Sequence, residues 1–266
     1  MLDKFNRKID YLRISVTDRC NLRCTYCMPE GGVESLNHKD ILSYDEIVNI
    51  VKLAVKNGIN KIRLTGGEPL VRKGICNLVQ MISSIPGIED LSLTTNGMLL
   101  DEYAEDLKKA GLNRVNISLD SVYPEKFRKI TRGGDINLVF KGIKAAEKAG
   151  LLPVKINCVV LNSSLEKDAK EVAKYCKLNS LELRYIHQMD LQTGKFSIVE
   201  GGSGGDCKKC NRLRLTSNGY IKPCLFSDLG YNIREIGAEK AFNAAIQNKP
   251  ECGSYSQSEK FYSIGG

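Results

Sequence analysis

Short apolar runs alternate along the first 190 residues with longer stretches whose apolar residues recur at helical spacing. The short runs predict six β-strands, at 11–16, 61–65, 91–95, 114–119, 154–160 and 181–186. The longer stretches predict amphipathic helices, at 43–58, 72–84, 101–111, 136–150 and 164–177. Ser43 and Glu46 have the spacing of a capping box at the start of the first helix. This alternation is typical of a parallel sheet with right-handed crossovers.

Six strand–helix units are fewer than the eight of a closed barrel, so we expect an α/β fold built as a partial (β/α)6 TIM-type barrel. In such folds the chemistry gathers at the C-terminal ends of the strands. After residue 190 a glycine-rich stretch leads to two short strands around Ser217-Asn218-Gly219 and to a helix at 237–247. We therefore predict a barrel domain at 1–190 and a small C-terminal module at 191–266.

Composition narrows the class of protein. The chain has 266 residues, 42% hydrophobic and 26% charged, which is typical of a soluble globular protein. No apolar run approaches the ~18 residues of a membrane span and no signal-peptide core is present, so we expect a cytoplasmic protein without membrane contact. The net charge of +8 fits a solvated basic surface or an anionic ligand such as a nucleotide. Basic residues are dispersed among acidic ones and Trp is absent, so we expect no nucleic-acid partner.

Six of the ten cysteines fall into two groups of three. The first group follows the first strand as C-x3-C-x2-C, and the second follows the glycine-rich stretch as C-x2-C-x13-C. The groups are Cys20, Cys24 and Cys27, and Cys207, Cys210 and Cys224. Soft thiolates favour 4Fe–4S clusters, and three of them leave one iron open. A structural zinc loop is the alternative for each group, with Cys252 as a fourth ligand at the second.

The first group, with Tyr26 before its last cysteine, resembles the motif of the radical S-adenosylmethionine (SAM) superfamily. The resemblance implies that the open iron chelates the amino and carboxylate groups of SAM, and that reduction of the cluster releases a 5′-deoxyadenosyl radical. "TGGEP" (65–69), "TTNG" (94–97) and Ser118 end successive strands and match further positions of that superfamily. The implied SAM-binding residues are Tyr26, Gly66, Gly67, Glu68, Thr95, Asn96 and Ser118.

The second group, the "LF" after it and the terminal Gly265-Gly266 resemble the MoaA-type GTP 3′,8-cyclase family of molybdenum cofactor biosynthesis. This resemblance implies two 4Fe–4S clusters, the second holding the guanine of GTP on its open iron, and abstraction of the 3′ hydrogen before C3′ attacks C8. Arg212 and Arg214 are the implied catalytic pair, and both also bind substrate. The other implied substrate-binding residues are Arg13, Lys61, Arg63, Lys155, Arg184, Gly265 and Gly266. Converging cations need an anion to neutralise them, and a polyphosphate fits.

Two features depart from that family. Only 17 residues separate Met189 from Cys207, where the family has a longer segment that helps wall the substrate pocket. His187-Gln188 replaces an expected glutamate–aromatic pair, and we expect His187 to line the pocket or to end a strand in solvent. The departures leave open a paralogue that modifies a peptide or another small molecule, and a non-catalytic zinc or iron–sulfur protein. We expect an external electron donor of flavodoxin or ferredoxin type, and a homodimer is compatible with the sequence.

Overall fold

The computed structural model of the chain describes residues 1–257. Its first six strands alternate with helices as predicted, with one helix more than expected, and three short strands and two helices come after them. The strands are β1 (Tyr11–Ser15), β2 (Lys61–Thr65), β3 (Asp90–Thr95), β4 (Arg114–Ser118), β5 (Lys155–Val160), β6 (Glu182–His187), β7 (Arg212–Leu215), β8 (Tyr220–Lys222) and β9 (Tyr231–Asn232). The helices are α1 (Tyr44–Lys56), α2 (Ile75–Ser83), α3 (Leu100–Lys109), α4 (Pro124–Thr131), α5 (Ile136–Lys148), α6 (Lys167–Leu178), α7 (Ile233–Ile236) and α8 (Ala238–Gln247).

The described strands form one sheet in the order β6-β5-β4-β3-β2-β1-β7-β8-β9. Strands β1 to β6 are parallel to their neighbours, and β7 adds to the free side of β1, also in parallel. The antiparallel strands β8 and β9 complete that edge. The expected α/β fold with a partial barrel is therefore confirmed, whereas the domain division at residue 190 stays a prediction. Within residues 1–257, no helix is both long and apolar enough to cross a membrane.

The parallel strands have one apolar and one polar face. In β1, Leu12 and Ile14 are fully buried in the main hydrophobic core, which also contains the apolar faces of the helices. The intervening residues of β1, Tyr11 and Arg13, face the opposite side of the sheet, because side chains alternate along a strand. Buried parallel strands are usually apolar on both faces. The polar inner face of this sheet is therefore available for a site.

The structure differs from the predicted elements at two places that matter for the site. A single helix was expected between β4 and β5, but α4 precedes α5 there. Pro124, at the first position of α4, is the sequence signal that could have revealed it. Helix α2 begins at Ile75 rather than at residue 72, because residues Pro69–Val71 form a separate 3₁₀ helix. The predicted capping box of Ser43 and Glu46 is confirmed at the start of α1.

Candidate active site

A cavity of about 570 Å³ opens on the inner face of the sheet. Its volume lies within the range of about 300–1,000 Å³ that is typical of ligand pockets. All six cysteines of the two predicted cluster motifs line this cavity, although about 180 residues separate the groups in sequence. The two groups of cysteines therefore border the same cavity. A species formed beside one group can reach a molecule held beside the other.

Helix α4, which the sequence pattern did not reveal, holds the loop of the first cysteine group. The amides of Arg23 and Thr25 donate hydrogen bonds to the carbonyl oxygens of Thr131 (3.1 Å) and Ile130 (2.9 Å) in its last turn. Just after the helix, Arg132 donates from Nη1 to the carbonyl oxygen of Met28 (2.8 Å). These bonds join α4 to residues between and just after the three cysteines, so the helix fixes the loop conformation.

The loop of the first cysteine group requires the two glycines of "TGGEP". A Cβ atom at Gly66 would lie 2.6 Å from the carbonyl oxygen of Thr17, and one at Gly67 would lie 2.3 Å from that of Arg19. The amides of Gly67 and Glu68 donate hydrogen bonds to these carbonyls, at 2.7 and 2.8 Å respectively. The glycine pair therefore permits a close backbone approach to the chain just before Cys20. Its predicted contact with SAM stays a prediction.

Glu68 links two of the motifs that were predicted to bind SAM. Its carboxylate, 1% exposed, accepts hydrogen bonds from the amide of Asn96 (2.7 Å) and the hydroxyl of Thr95 (2.8 Å). Burial raises the pKa of Glu68 to about 7, and the hydrogen bonds from Asn96, Leu70 and Thr95 oppose the rise. Six of the predicted SAM-side residues line the cavity: Tyr26, Gly66, Gly67, Thr95, Asn96 and Ser118. Glu68 lies behind this lining, and its hydrogen bonds hold Thr95 and Asn96 in position.

Asp120 belongs to the site although it lies outside the motifs that the sequence predicts for SAM binding. The hydroxyl of Tyr26 donates to Oδ2 of Asp120 (2.7 Å), and the amide of Val159 donates to Oδ1 (2.8 Å). Asp120 is 8% exposed, and burial raises its pKa while these two hydrogen bonds lower it. Its position two residues after Ser118, at the end of β4, is the signal that could have identified it. Asp120 thereby ties the first cysteine loop to β5.

The first cysteine group fits an iron–sulfur cluster. Burial raises the pKa of Cys24 and Cys27 to about 12, so their thiolates need a cationic partner. Among the residues that the structure describes, no three His, Cys, Asp or Glu side chains are placed to hold a single metal ion. Each cysteine of a 4Fe–4S cluster binds a different iron, so its sulfurs need not converge on one point. The placement of the three cysteines is therefore compatible with a cluster.

A row of basic side chains crosses the polar face of the sheet. Arg13 in β1 lies in register with Arg63 in β2 and with Arg214 in β7. Neighbouring strands are about 4.8 Å apart, and residues in register point to the same face. Arg212, one inward-facing position earlier in β7, and Arg184 in β6 line the same cavity. We call these five residues the arginine set: Arg13, Arg63, Arg184, Arg212 and Arg214.

The arginine set is held in an unfavourable electrostatic state. Burial lowers the pKa of Arg214 to about 10, and the neighbouring charge of Arg212 lowers it further. Burial, followed by the charge of Arg214, also lowers the pKa of Arg13. Within residues 1–257, the buried Nε atoms of Arg184 and Arg212 have no hydrogen-bond partner. An anion in the cavity would relieve the repulsion and accept these donors.

The remaining predicted substrate residues are placed differently. Lys61 lines the cavity, but its ammonium group is 3.1 Å from Oδ2 of Asp10. Lys155 pairs with Glu182 and is absent from the described cavity lining. His187 lines the cavity, and its Nε2 is 2.9 Å from Oε1 of Glu200, which agrees with the expected lining role. The predicted contacts of Gly265 and Gly266 lie outside the described residues.

The second cysteine group lies beside β7 and the hairpin that follows it. Cys207 begins a 3₁₀ helix (Cys207–Lys209), and Cys210 follows it directly. Burial raises the pKa of the Cys210 thiol, but the charges of Lys249 and Arg212, together with hydrogen bonds from these two residues, lower it overall. Burial raises the pKa of Cys224. Cationic side chains beside soft thiols suit a negatively charged cluster, so this group also fits 4Fe–4S binding.

Comparison with known families agrees with this geometry. Residues 14–176 match the Radical SAM superfamily, and residues 159–254 match the family described as Molybdenum Cofactor Synthesis C. The chain is 39% identical over 299 residues to a GTP 3′,8-cyclase from Alkaliphilus metalliredigens, with 94% of this chain and 93% of the relative covered. It is 38% identical over 320 residues to one from Peptoclostridium acidaminophilum, with 100% and 98% covered.

This chain is shorter than the relative from Peptoclostridium acidaminophilum. Their alignment extends over 320 residues whereas this chain has 266, so about 54 aligned positions of the relative have no counterpart here. Among solved structures, native anSMEcpe with bound AdoMet superposes with a TM-score of 0.67 at 19% identity, covering 90% of this chain and 81% of that one. At that identity the likeness shows the fold alone.

Proposed function

Because the chain belongs to the radical SAM superfamily and, within it, to the GTP 3′,8-cyclase family, we propose that it converts GTP to 3′,8-cyclo-GTP in molybdenum cofactor biosynthesis. The observation that carries the proposal is the common cavity of both cysteine groups and the arginine set. A polyphosphate is the anion that such a set would accept. The relatives do not favour the alternative of a peptide-modifying paralogue.

The cofactors of this function are two 4Fe–4S clusters and SAM, and the first cluster and SAM would together supply a 5′-deoxyadenosyl radical when bound. Cys20, Cys24 and Cys27 would hold the first cluster, and Cys207, Cys210 and Cys224 the second. The chemistry needs such a radical, because removing hydrogen from an unactivated ribose carbon exceeds the ~10²–10⁴-fold that acid–base groups contribute.

The chain's own residues would bind and orient the two small molecules. The lining residues of "TGGEP" and "TTNG", with Tyr26 and Ser118, would contact SAM beside the first cysteine loop. Arg13, Arg63 and Arg184 would bind the triphosphate, which neutralises their buried charge. Arg212 and Arg214, next to the second cysteine group, would contact the nucleoside and hold positive charge near the reacting atoms. Holding both reactants in one cavity replaces a bimolecular encounter by an oriented one.

Two further proposals concern the surroundings of the enzyme. An external flavodoxin- or ferredoxin-type protein would supply the electrons, and the chain would act as a monomer or a homodimer. We place it in the cytoplasm, where its ten cysteines stay reduced.

The test is anaerobic turnover of the reconstituted protein with GTP, SAM and dithionite. We expect 3′,8-cyclo-GTP together with 5′-deoxyadenosine, detected by mass spectrometry. The double variant Arg212→Ala/Arg214→Ala should lose the cyclised product while it retains some uncoupled SAM cleavage, and Arg128→Ala, at an exposed position, should behave as wild type. Normal cyclisation by the double variant would contradict the role of the pair. A wild-type protein with about eight iron per chain and no cyclised product would contradict the substrate.

A further inference from the structure

Lys249 is a buried lysine to which the proposed reaction assigns no role. It is 1% exposed and lies outside the described cavity lining, so it does not face the substrate. We propose that Lys249 is a positioning residue of the second cluster: its ammonium group holds together the chain segments that carry Cys210 and Cys224, and its fixed charge favours the reduced state of the cluster. The inference rests on the proposed function only in that it assumes a second 4Fe–4S cluster, and it does not depend on the substrate.

The ammonium group of Lys249 connects two segments of the second cysteine group. Its Nζ donates to the carbonyl oxygen of Arg212 (2.8 Å), two residues after Cys210. It also donates to the carbonyl oxygen of Pro223 (2.5 Å), the residue directly before Cys224. A lysine ammonium has three donors, so one remains after these two carbonyls are bound. One side chain therefore fixes the separation of the two cysteine-bearing segments.

The charge of Lys249 is compensated by the cysteines. Within residues 1–257, no carboxylate forms an ion pair with it. Buried charges are normally paired or bound to metal, because leaving them unpaired is costly. Burial raises the pKa of the Cys210 thiol, and the charge of Lys249 is the largest effect that lowers it, with a hydrogen bond from Lys249 adding to this. The thiolates and the cluster they hold therefore supply the negative charge that Lys249 requires.

The segment that carries Lys249 is itself fixed against the second cysteine group. The guanidinium of Arg7 donates three hydrogen bonds of 2.7 Å, to the carbonyl oxygens of Cys207, Pro250 and Glu251. These contacts bring Sγ of Cys252 to 3.0 Å from Sγ of Cys207. The position of the ammonium group is therefore set by the backbone on both sides of the cluster site, and the long side chain has little freedom to move away.

The consequence concerns the reduction potential of the second cluster. This potential depends on net charge, on hydrogen bonds to the sulfurs and on solvent exposure, and Lys249 acts on the first two. Reduction adds an electron to the cluster, so a cation fixed beside it stabilises the reduced form more than the oxidised form. Arg212 and Arg214 also bring positive charge, but they line the cavity, where a bound anion neutralises them. Lys249 lies outside that lining and keeps its effect when substrate is bound.

A redox titration of the second cluster alone tests the charge of Lys249. The background is the triple variant Cys20→Ala/Cys24→Ala/Cys27→Ala, which removes the first cluster and should leave about four iron per chain. To it is added Lys249→Gln, which keeps an amide donor but no charge, or Lys249→Met, which keeps neither. We expect each to lower the equilibrium constant for reduction at least about tenfold, which is a shift of about 59 mV toward more negative potentials in a titration followed by EPR.

Lys222→Met is the matched control, because Lys222 is the other buried lysine among the described residues. Its Nζ lies 3.6 Å from the position that a Cβ atom at Gly230 would take, in the segment before β9. The same loss of a buried ammonium group should therefore leave the potential of the triple variant unchanged. An unchanged potential in both Lys249 variants, with the iron retained, would overturn the proposal. An equal shift in Lys222→Met would also overturn it, since the effect would not depend on a charge beside the cysteines.

A second measurement leaves Lys249 in place. Protein grown with lysine labelled with ¹⁵N at Nζ should show a ¹⁵N hyperfine coupling in pulsed EPR of the reduced clusters, and the coupling should persist in the triple variant, which keeps the second cluster only. Absence of this coupling would overturn the proposal even where substitution of Lys249 prevents folding or releases iron. Cyclisation of GTP without the coupling would refute this inference alone, and the coupling in a protein that does not cyclise GTP would refute the proposed substrate alone.

Discussion

Nη1 of Arg7 lies 2.7 Å from the carbonyl oxygen of Cys207, so the N-terminal segment is bonded directly to the second cysteine group 200 residues later. The same guanidinium forms a buried ion pair with Asp3. The second cluster site therefore combines the two ends of the described chain. Its integrity should depend on a residue that makes no contact with iron or substrate.

Arg7→Ala should destabilise the protein and release the second cluster. The substitution leaves the buried carboxylate of Asp3 without its charged partner, and breaking a buried pair in this way costs about 3–5 kcal/mol. We expect urea denaturation to show a loss of this size, and iron analysis to fall from about eight toward about four per chain. Arg128→Ala, exposed on α4, is the matched control. A variant with unchanged stability and full iron content would show that the anchor is unimportant.

Tyr26→Phe should weaken the first cysteine loop. The variant keeps the ring but removes the hydroxyl that donates to Oδ2 of Asp120 at 2.7 Å. Leaving a buried acceptor without its donor lowers the free energy of unfolding by about 1–3 kcal/mol. We expect the free energy of unfolding in urea to drop by that amount and the Kd for SAM to rise. Tyr123→Phe, on a ring that is 40% exposed, should change neither quantity. Equal behaviour of the two variants would rule out the role of the Tyr26 hydroxyl.

Arg184→Gln should weaken GTP binding more than it slows the reaction. The buried Nε of Arg184 has no hydrogen-bond partner within residues 1–257, and the residue lines the cavity from β6. A hydrogen bond to a charged group contributes about 1.5–3 kcal/mol, which corresponds to a KM for GTP about 10–100-fold higher.

Steady-state kinetics would separate the two effects of Arg184→Gln. We expect kcat to stay within about threefold, because the triphosphate contact is the same in the ground state and the transition state. Arg184→Lys should recover part of the affinity, since it keeps the charge but not the planar donor pair. A lower kcat with an unchanged KM would place Arg184 in the chemical step instead.

The sequence pattern was sufficient for the sheet, the two cysteine groups and the basic face. Arg13 and Arg63 alternate with apolar residues in their strands, so period-two spacing alone predicts that they face one side. Their register with Arg214 depends on β7 joining β1, a pairing of distant strands that local pattern does not encode. Helix α4 was missed because half of the residues of "PEKFRKIT" are charged and only Phe127 and Thr131 are buried.

The position of Cys252 could not be predicted from spacing. Its approach to Cys207 depends on three carbonyl groups brought together by one N-terminal arginine, and each of these contacts spans about 200 residues or more. The hydrogen bond between Tyr26 and Asp120 was equally hidden, since 94 residues separate the two in sequence. Such contacts are formed by tertiary packing, which the periodicity of a single segment does not specify.

Glu46→Gln should remove a pH-dependent contribution to stability. Both oxygens of Glu46 accept from Arg234, at 2.8 and 3.0 Å, and these bonds lower its pKa from 4.5 to about 2. A carboxyl group with a lowered pKa stabilises the fold above its unfolded pKa, and this stability is lost as pH falls toward the folded value. Both side chains are about one-third exposed, so solvent screening limits the contribution to about 1 kcal/mol or less.

The measurement is urea denaturation of the iron-free wild type and Glu46→Gln between pH 7 and pH 3.5, so that acid-labile clusters do not contribute. We expect the wild type to be more stable at pH 7, and the difference to shrink below pH about 4.5, where the unfolded carboxyl binds a proton that the folded one does not. Glu102→Gln, an exposed acidic residue in the first turn of α3, is the control for the helix-dipole effect. A difference that stayed constant across this pH range would show that neither the ion pair with Arg234 nor the hydrogen bonds with Ser43 stabilise the ionised carboxylate, since both act by lowering its pKa.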